Sequence, residues 1–257
     1  AYAGGATVGT VLALRFAITA AFFFTYLAWR KIPLALTRKQ LWSLVILGGL
    51  CYMLQSHCYL SAVRFISPSL AALILYTYPI MVAILSFIMD RHPISSRSVA
   101  AIIISLSGVA LMLGVSGDSI DSKGVFLAFT AAVVYSFYIV LGDRVVRELP
   151  FTVTSAFIAL FAAASLFVVS LAPGDLHFAF NCQAWLAILA IALFSTVIAM
   201  LAFFRGLEIV GSTQAAILST TEPLVTVCLS ALLLKERLTA WQLIGGSIVL
   251  LPAALLV

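Results

Sequence analysis

The sequence predicts an all-α polytopic membrane protein, an inverted repeat of five-helix units with nine transmembrane helices in this chain. Three observations predict it: an apolar composition, charge-free runs of bilayer length, and self-similarity at a fixed offset. Of the 257 residues, 64% are hydrophobic and only 9% are charged. A soluble domain carries about 25% charged residues, so this chain lacks the polar surface that water requires. The charges also cluster. Asp, Glu, Lys and Arg are absent from 40–62, 65–89, 98–117, 124–142, 149–174, 178–204 and 238–257. Two further runs, 7–29 and 209–234, hold one charge each, Arg15 and Glu222. A helix needs about 20 residues to cross the hydrocarbon core, and each run is long enough. Transmembrane strands would be about 10 residues long and would alternate in polarity, which these runs do not.

Taken in order, the first run (7–29) follows an opening, "AYAGGATVGT", that has no basic segment of the secretory type. The second (40–62) contains Gly48-Gly49 and the polar group Gln55, Ser56, His57 and Tyr59. The third (65–89) is interrupted by Tyr78-Pro79, and the fourth (98–117) is uniformly apolar apart from Ser and Gly. The fifth (124–142) carries Tyr135, Ser136 and Tyr138, and the seventh (178–204) carries Ser195-Thr196. The sixth (149–174) offers only small hydroxyls, the eighth (209–234) carries Glu222-Pro223, and the ninth (238–257) carries Gly245-Gly246. Connections are too short to hold a soluble domain. Gly48-Gly49, Gly206 and Gly245-Gly246 are expected to allow close helix contact or bending.

Alternate loops differ in charge. One side holds Arg30, Lys31, Arg38, Lys39, Arg91, Arg97, Arg144, Arg147 and Arg205; the other holds Arg64, Lys123, Lys235 and Arg237. The basic-rich side is assigned to the cytoplasm. The first span then starts outside and the C-terminus lies inside, as suits a bacterial inner membrane. The net charge of +5 therefore reports orientation, and no nucleic-acid partner is expected. Cys51, Cys58, Cys182 and Cys228 form no metal-type pair and read as small apolar residues. His57, His92 and His177 are too scattered for one metal site, and no metal is expected.

Sliding the chain by 144 positions brings Leu70–Ser95 onto Gln214–Thr239 and pairs Ala71 with Ala215, Ala72 with Ala216, Thr77 with Thr221, Pro79 with Pro223, Leu85 with Leu229 and Ser86 with Ser230. A shared Thr-x-Pro within matching apolar runs points to an internal duplication. Residues 1–117 then form a first repeat and 123–257 a second. The second holds five spans and the first four, so a ten-helix design with its first helix absent is expected. An odd number of helices per unit inverts the repeat, a common transporter plan with a midplane substrate site.

The chain resembles the drug/metabolite transporter superfamily in its bacterial ten-helix, EamA-type branch. The resemblance rests on "ALRFAITAAFFF", "SPSLAALILYTYP", "FLAFTAAVVYSFYIVLGDR" and "GSTQAAILSTTEPLVTVCLSALLLKERLTAWQLIGGSIVLL". It departs at His92, which stands at the repeat position of Glu236, and at Pro252, at the repeat position of Gly108. The resemblance implies a secondary carrier that moves small organic metabolites such as amino acids, amines or drug-like solutes by alternating access, in the direction of export, with no cofactor.

Glu222 is the leading candidate substrate residue. It lies near the middle of its run, where a charge costs roughly 2.5–3.5 kcal/mol. Pro223 breaks the preceding turn and frees a carbonyl beside it. An acid at a kink suits an amine or cationic group of the substrate, or a coupling proton; pairing with a buried polar group that merely ties helices together is the structural alternative. Thr220 lies two residues before the acid. At the repeat position, Tyr76 and Tyr78 flank Thr77 before the second kink, Pro79, and aromatic faces attract organic cations. Gln55, His57, Tyr135 and Ser136 complete the substrate-binding candidates; interhelical hydrogen bonding accounts for His57 equally well. Arg15 either snorkels to the outer interface or meets an anionic group. The partners expected are the lipid bilayer and a small-molecule substrate, with a coupling proton as the alternative occupant of Glu222, and the protein a monomer or homodimer. A carrier of nucleotide sugars or phosphorylated metabolites would need several inward Lys or Arg, and only Arg15 qualifies. A membrane-embedded enzyme finds no HExxH or Gly-x-Ser-x-Gly motif for support. A channel needs the same polar interior as a carrier and stays open as an alternative.

Overall fold

Helix boundaries follow local chemistry. Thr7 caps α1 (Val8–Trp29) by accepting from the Thr10 amide at 3.3 Å. Thr37 and Gln40 form a reciprocal capping box at the start of α2 (Arg38–Leu44), and Thr239 and Gln242 make the same two bonds before α12 (Ala240–Leu256). Each such cap satisfies amides that a helix start otherwise leaves without a partner. Ser67 caps α4 (Pro68–Leu75), with Pro68 in the first turn, and Ser95 caps α6 (Ser96–Leu113). The computed structural model describes residues 7–91, 94–114, 121–171, 181–234 and 239–256. His92, His177 and 235–238 lie outside the described residues.

Helix continues nearly throughout. A first π-helical stretch, π1 (Val45–Tyr52), joins α2 to α3 (Met53–Ala62). Beyond α4 come α5 (Tyr78–Asp90), α6, α7 (Ser122–Glu148), α8 (Phe151–Leu171) and α9 (Cys182–Ala190). A second stretch, π2 (Ile191–Val197), leads into α10 (Ile198–Ser219), followed by α11 (Glu222–Leu234) and α12. No strand occurs among the described residues. Large apolar side chains stand outward: Phe126, Phe194 and Leu232 are 69%, 71% and 76% exposed. That surface suits lipid rather than water.

Seven helices among the described residues are long and apolar enough to cross a membrane, two fewer than the nine expected. The difference lies in the last third. The seventh and eighth expected runs are divided differently: helix runs from Cys182 to Ser219, across Gly211, whose φ of 78° and ψ of 173° break it. This φ is one that glycine adopts readily and other residues avoid. The remainder of the eighth run is α11, of 13 residues, and the ninth is α12, of 17.

The chain forms two compact units that cut across the sequence halves. One comprises the residues up to Met53 together with Leu141–Ile209; the other comprises Leu54–Val140 and the residues from Val210 onward. In the first unit, Phe16, Ala20, Phe23 and Leu27, spaced along one stripe of α1, pack with Val153, Ala156, Ala159 and Ala162 of α8. Gly48 of π1 lies against the Ile158 backbone, where a Cβ would collide. In the second unit, α6 and α12 approach through Gly108 and Gly245. A Cβ on Gly108 would lie 2.8 Å from the Gly245 carbonyl oxygen, and one on Gly245 would lie 2.6 Å from that of Gly108. Small residues at such crossings let helices pack where no hydrophobic drive separates protein from lipid. Gly206 has no close neighbour, so close packing does not account for it.

Candidate functional site

Two broken helices of the second unit frame the site. Proline lacks an amide hydrogen and clashes with the carbonyl four residues back. Accordingly α4 ends at Leu75, four residues before Pro79, and α10 ends at Ser219, four before Pro223. Each break is closed in the same way. The Thr77 hydroxyl donates to the Ile74 carbonyl at 2.7 Å, and the Thr221 hydroxyl donates to the Leu218 carbonyl at 2.7 Å. The amides of both threonines reach the same carbonyls at 3.1 Å. Thr220, fully buried, spends its hydroxyl on the Ile217 carbonyl at 2.6 Å.

Tyr78 begins α5 and is 2% exposed. Its hydroxyl donates to the Ala216 carbonyl at 3.2 Å, and its ring meets Tyr135 of α7 edge-on with centroids 4.8 Å apart. Tyr76 lies 6.2 Å from Tyr78 by ring centroid, and Tyr135 stacks on Tyr138 at 5.9 Å. Ser136 is buried; its hydroxyl donates to the Ala132 carbonyl at 2.7 Å and lies 3.3 Å from that of Tyr78. The first break is thus held against α7.

Glu222 begins α11 and is exposed. Its carboxyl lies within electrostatic reach of the Tyr59, Tyr76 and Tyr78 hydroxyls. Among the described residues no Lys, Arg or His forms an ion pair with it, and no hydrogen bond ties its carboxyl to another helix. Thr226 donates to its backbone carbonyl at 3.0 Å, one turn along.

Glu222, Tyr76, Tyr78 and Tyr135 are thus brought together. Tyr59 joins them, although it is absent from the leading candidates. The available signal is its place four residues after Gln55 on α3, which sets both on one helix face. His57, two residues from each, is exposed on another side of α3. Gln55 is half-buried and accepts from the Ser56 hydroxyl at 3.3 Å. Ser136 and Thr220 brace the backbone and have no hydroxyl hydrogen to spare for a ligand. No group of three His, Cys, Asp or Glu suited to a metal occurs among the described residues. A groove of about 840 Å³ runs beside α5 and the start of α7, lined by Ile74, Ile80, Met81, Val125, Phe126 and Phe129 among others. It is apolar and holds neither the acid nor the tyrosines, so the chemistry lies elsewhere.

The sequence profile of the EamA-like transporter family matches residues 3–114 and again 122–257. A Bacillus subtilis (strain 168) protein named uncharacterized transporter YyaM is 27% identical over 249 residues, covering 93% of this chain and 81% of its own. The uncharacterized transporter sll1319 of Synechocystis sp. is 27% identical over 241 residues, covering 89% and 71%. A solved crystal structure superposes with a TM-score of 0.82 over 98% of this chain and 88% of the other, at 22% identity, a likeness of fold alone.

Proposed function

Because the chain belongs to the EamA-like transporter family, we propose that it is a secondary carrier that moves small organic solutes bearing an amine or other cationic group by alternating access. Membership places it in the drug/metabolite transporter superfamily, and the seven long apolar helices among the described residues mark an integral membrane protein. The reading places it in a bacterial inner membrane with its C-terminus in the cytoplasm and export as its direction. One observation carries it: an acid on an exposed residue at the second helix break, with three tyrosine hydroxyls in electrostatic reach and no cation paired to it among the described residues. A carboxylate within a membrane span is costly unless water, a proton or a ligand meets it. The tyrosine rings add π-faces suited to an organic cation. In this reading Glu222 takes the amine or the coupling proton, Tyr59, Tyr76 and Tyr135 line the path, and Pro79 and Pro223 mark the bending points.

Several structural facts support the inverted repeat. The Thr77 and Thr221 breaks stand 144 residues apart and share one hydrogen-bond pattern. Shifted by 144, π1 overlaps π2. Within the units, α1 packs on α8 and α6 packs on α12, which are the counterparts under that shift.

The test is counterflow of labelled amino acids and organic cations in vesicles reconstituted with the protein. The reading expects solute-dependent exchange that falls at least about tenfold in Glu222→Gln, the usual worth of losing a hydrogen bond to a charged group. Exchange that is unaltered in a folded Glu222→Gln variant, together with an unaltered pH profile, would remove the acid from the mechanism.

A further inference from the structure

The first unit holds an ionised side chain that the proposed mechanism leaves unused. Arg15 lies seven residues inside α1, about 10 Å from its start at 1.5 Å per residue. Its Nη2 donates to the Tyr52 hydroxyl at 2.8 Å, and its guanidinium lies 4.8 Å from the centre of the Phe16 ring. Tyr52 closes π1, ten residues before the end of α3, so about 15 Å of helix separates it from that end. Both residues thus stand well inside their helices.

The arrangement is built but incomplete. Phe16 and Tyr52 meet edge-on with centroids 4.6 Å apart, which fixes the tyrosine. The π-helical stretch is itself a backbone form frequent at functional sites. Yet the Arg15 Nε is buried and has no hydrogen-bond partner. A guanidinium offers five N–H donors and cannot be deprotonated in a protein. No carboxylate among the described residues pairs with it. In the first unit, Asp143 is engaged by Arg147 at 2.9 Å, Glu208 is engaged by Arg205 at 2.7 Å, and the Glu148 carboxylate accepts from Gln40 at 3.4 Å. A fixed cation inside a helical unit, with one hydrogen bond and no counter-ion among the described residues, asks for an anion to complete it.

We propose that Arg15 and the Tyr52 hydroxyl form a carboxylate-binding site, so that the solutes carried bear a single carboxylate. The inference rests on the carrier reading for its word "carried"; the binding site stands on the geometry alone. One guanidinium and one hydroxyl match one negative charge. A phosphate dianion would call for more cations. The planar fork of Arg15 suits the two oxygens of a carboxylate, with the buried Nε, which has no partner, as one of its donors.

The test uses purified full-length protein and reads the shift of its thermal midpoint with added ligand. The probes are amino acids, the amines left when their carboxylate is removed, and short-chain phosphatidylglycerol. The proposal expects amino acids to stabilise the wild type, with apparent affinity falling about tenfold or more in Arg15→Gln. A smaller fall is expected in Tyr52→Phe, partial recovery in Arg15→Lys, and no change for the amines in any of these. Tyr52→Phe keeps the ring contact and so serves if Arg15→Gln does not fold. Carboxylates that bind Tyr52→Phe and Arg15→Lys as they bind the wild type overturn the proposal. So does a wild type stabilised only by the phospholipid, which would make the site a headgroup anchor, or by none of the probes. Counterflow separates the two readings: wild-type vesicles without exchange count against the carrier, while the thermal shifts still decide the carboxylate site.

Discussion

The two broken helices of the second unit share their architecture and differ in one position. At α4–α5 the residue before proline is Tyr78, which is buried, hydrogen-bonded to Ala216 and packed on Tyr135. At α10–α11 it is Glu222, which is exposed with its carboxyl free of an ion pair among the described residues. Threonine closes both breaks with the same bond at the same length. The Thr-x-Pro device thus helps make a break in a membrane helix tolerable, because a carbonyl of the last turn, that of Ile74 or Leu218, gains a hydroxyl donor. What the break is used for depends on the residue between Thr and Pro. A tyrosine seals it, whereas a glutamate leaves it available.

That contrast yields predictions of graded size. The largest is functional. Glu222→Gln should lower vesicle exchange at least about tenfold, whereas Tyr78→Phe should leave it within roughly threefold; an equal loss in both would mean that the two breaks do one job. Next comes packing in the same unit. Gly245→Val places a Cβ and two methyls against the Gly108 backbone, and overpacking of this kind costs about 1–3 kcal/mol. A lower thermal midpoint than wild type checks it. Tyr78→Phe removes one buried hydrogen bond and should cost about 1 kcal/mol, read in the same assay. The smallest effects sharpen the symmetry. Thr77→Ala and Thr221→Ala each lose one hydroxyl-to-carbonyl bond, about 1 kcal/mol or less, and the two losses should be equal within error. A large loss at only one would show that the breaks are not held alike.

Much of this contrast is legible in the sequence because proline and an intramembrane acid act locally. Pro79 and Pro223 set where α4 and α10 stop, and Glu222 stands out in its run for its charge alone. The charge-free runs likewise show where helix can cross lipid. Other features depend on contacts that local pattern does not carry. Gly211 breaks a helix, but nothing distinguishes it in sequence from Gly206, which lies within one. The π stretches leave no mark in an apolar run, since residues that face lipid or protein there are equally hydrophobic. Arg15 and Tyr52 stand 37 residues apart, so their bond is a product of packing. Tyr78 is expected as lining, and its burial and bond to the Ala216 carbonyl likewise come from packing rather than from local pattern. Tyr59 gains its place only when α3 fixes which of its faces meets the acid.

The most direct test of the central claim is accessibility at the two positions before proline. In a background with Cys51, Cys58, Cys182 and Cys228 replaced by alanine, Glu222→Cys and Tyr78→Cys are exposed in vesicles to a membrane-impermeant, water-soluble thiol reagent added on both sides. The account predicts rapid labelling at 222, slowed by transported solute, and little or none at 78. Position 222 refusing the reagent, or reacting only with a lipid-soluble one, would contradict it.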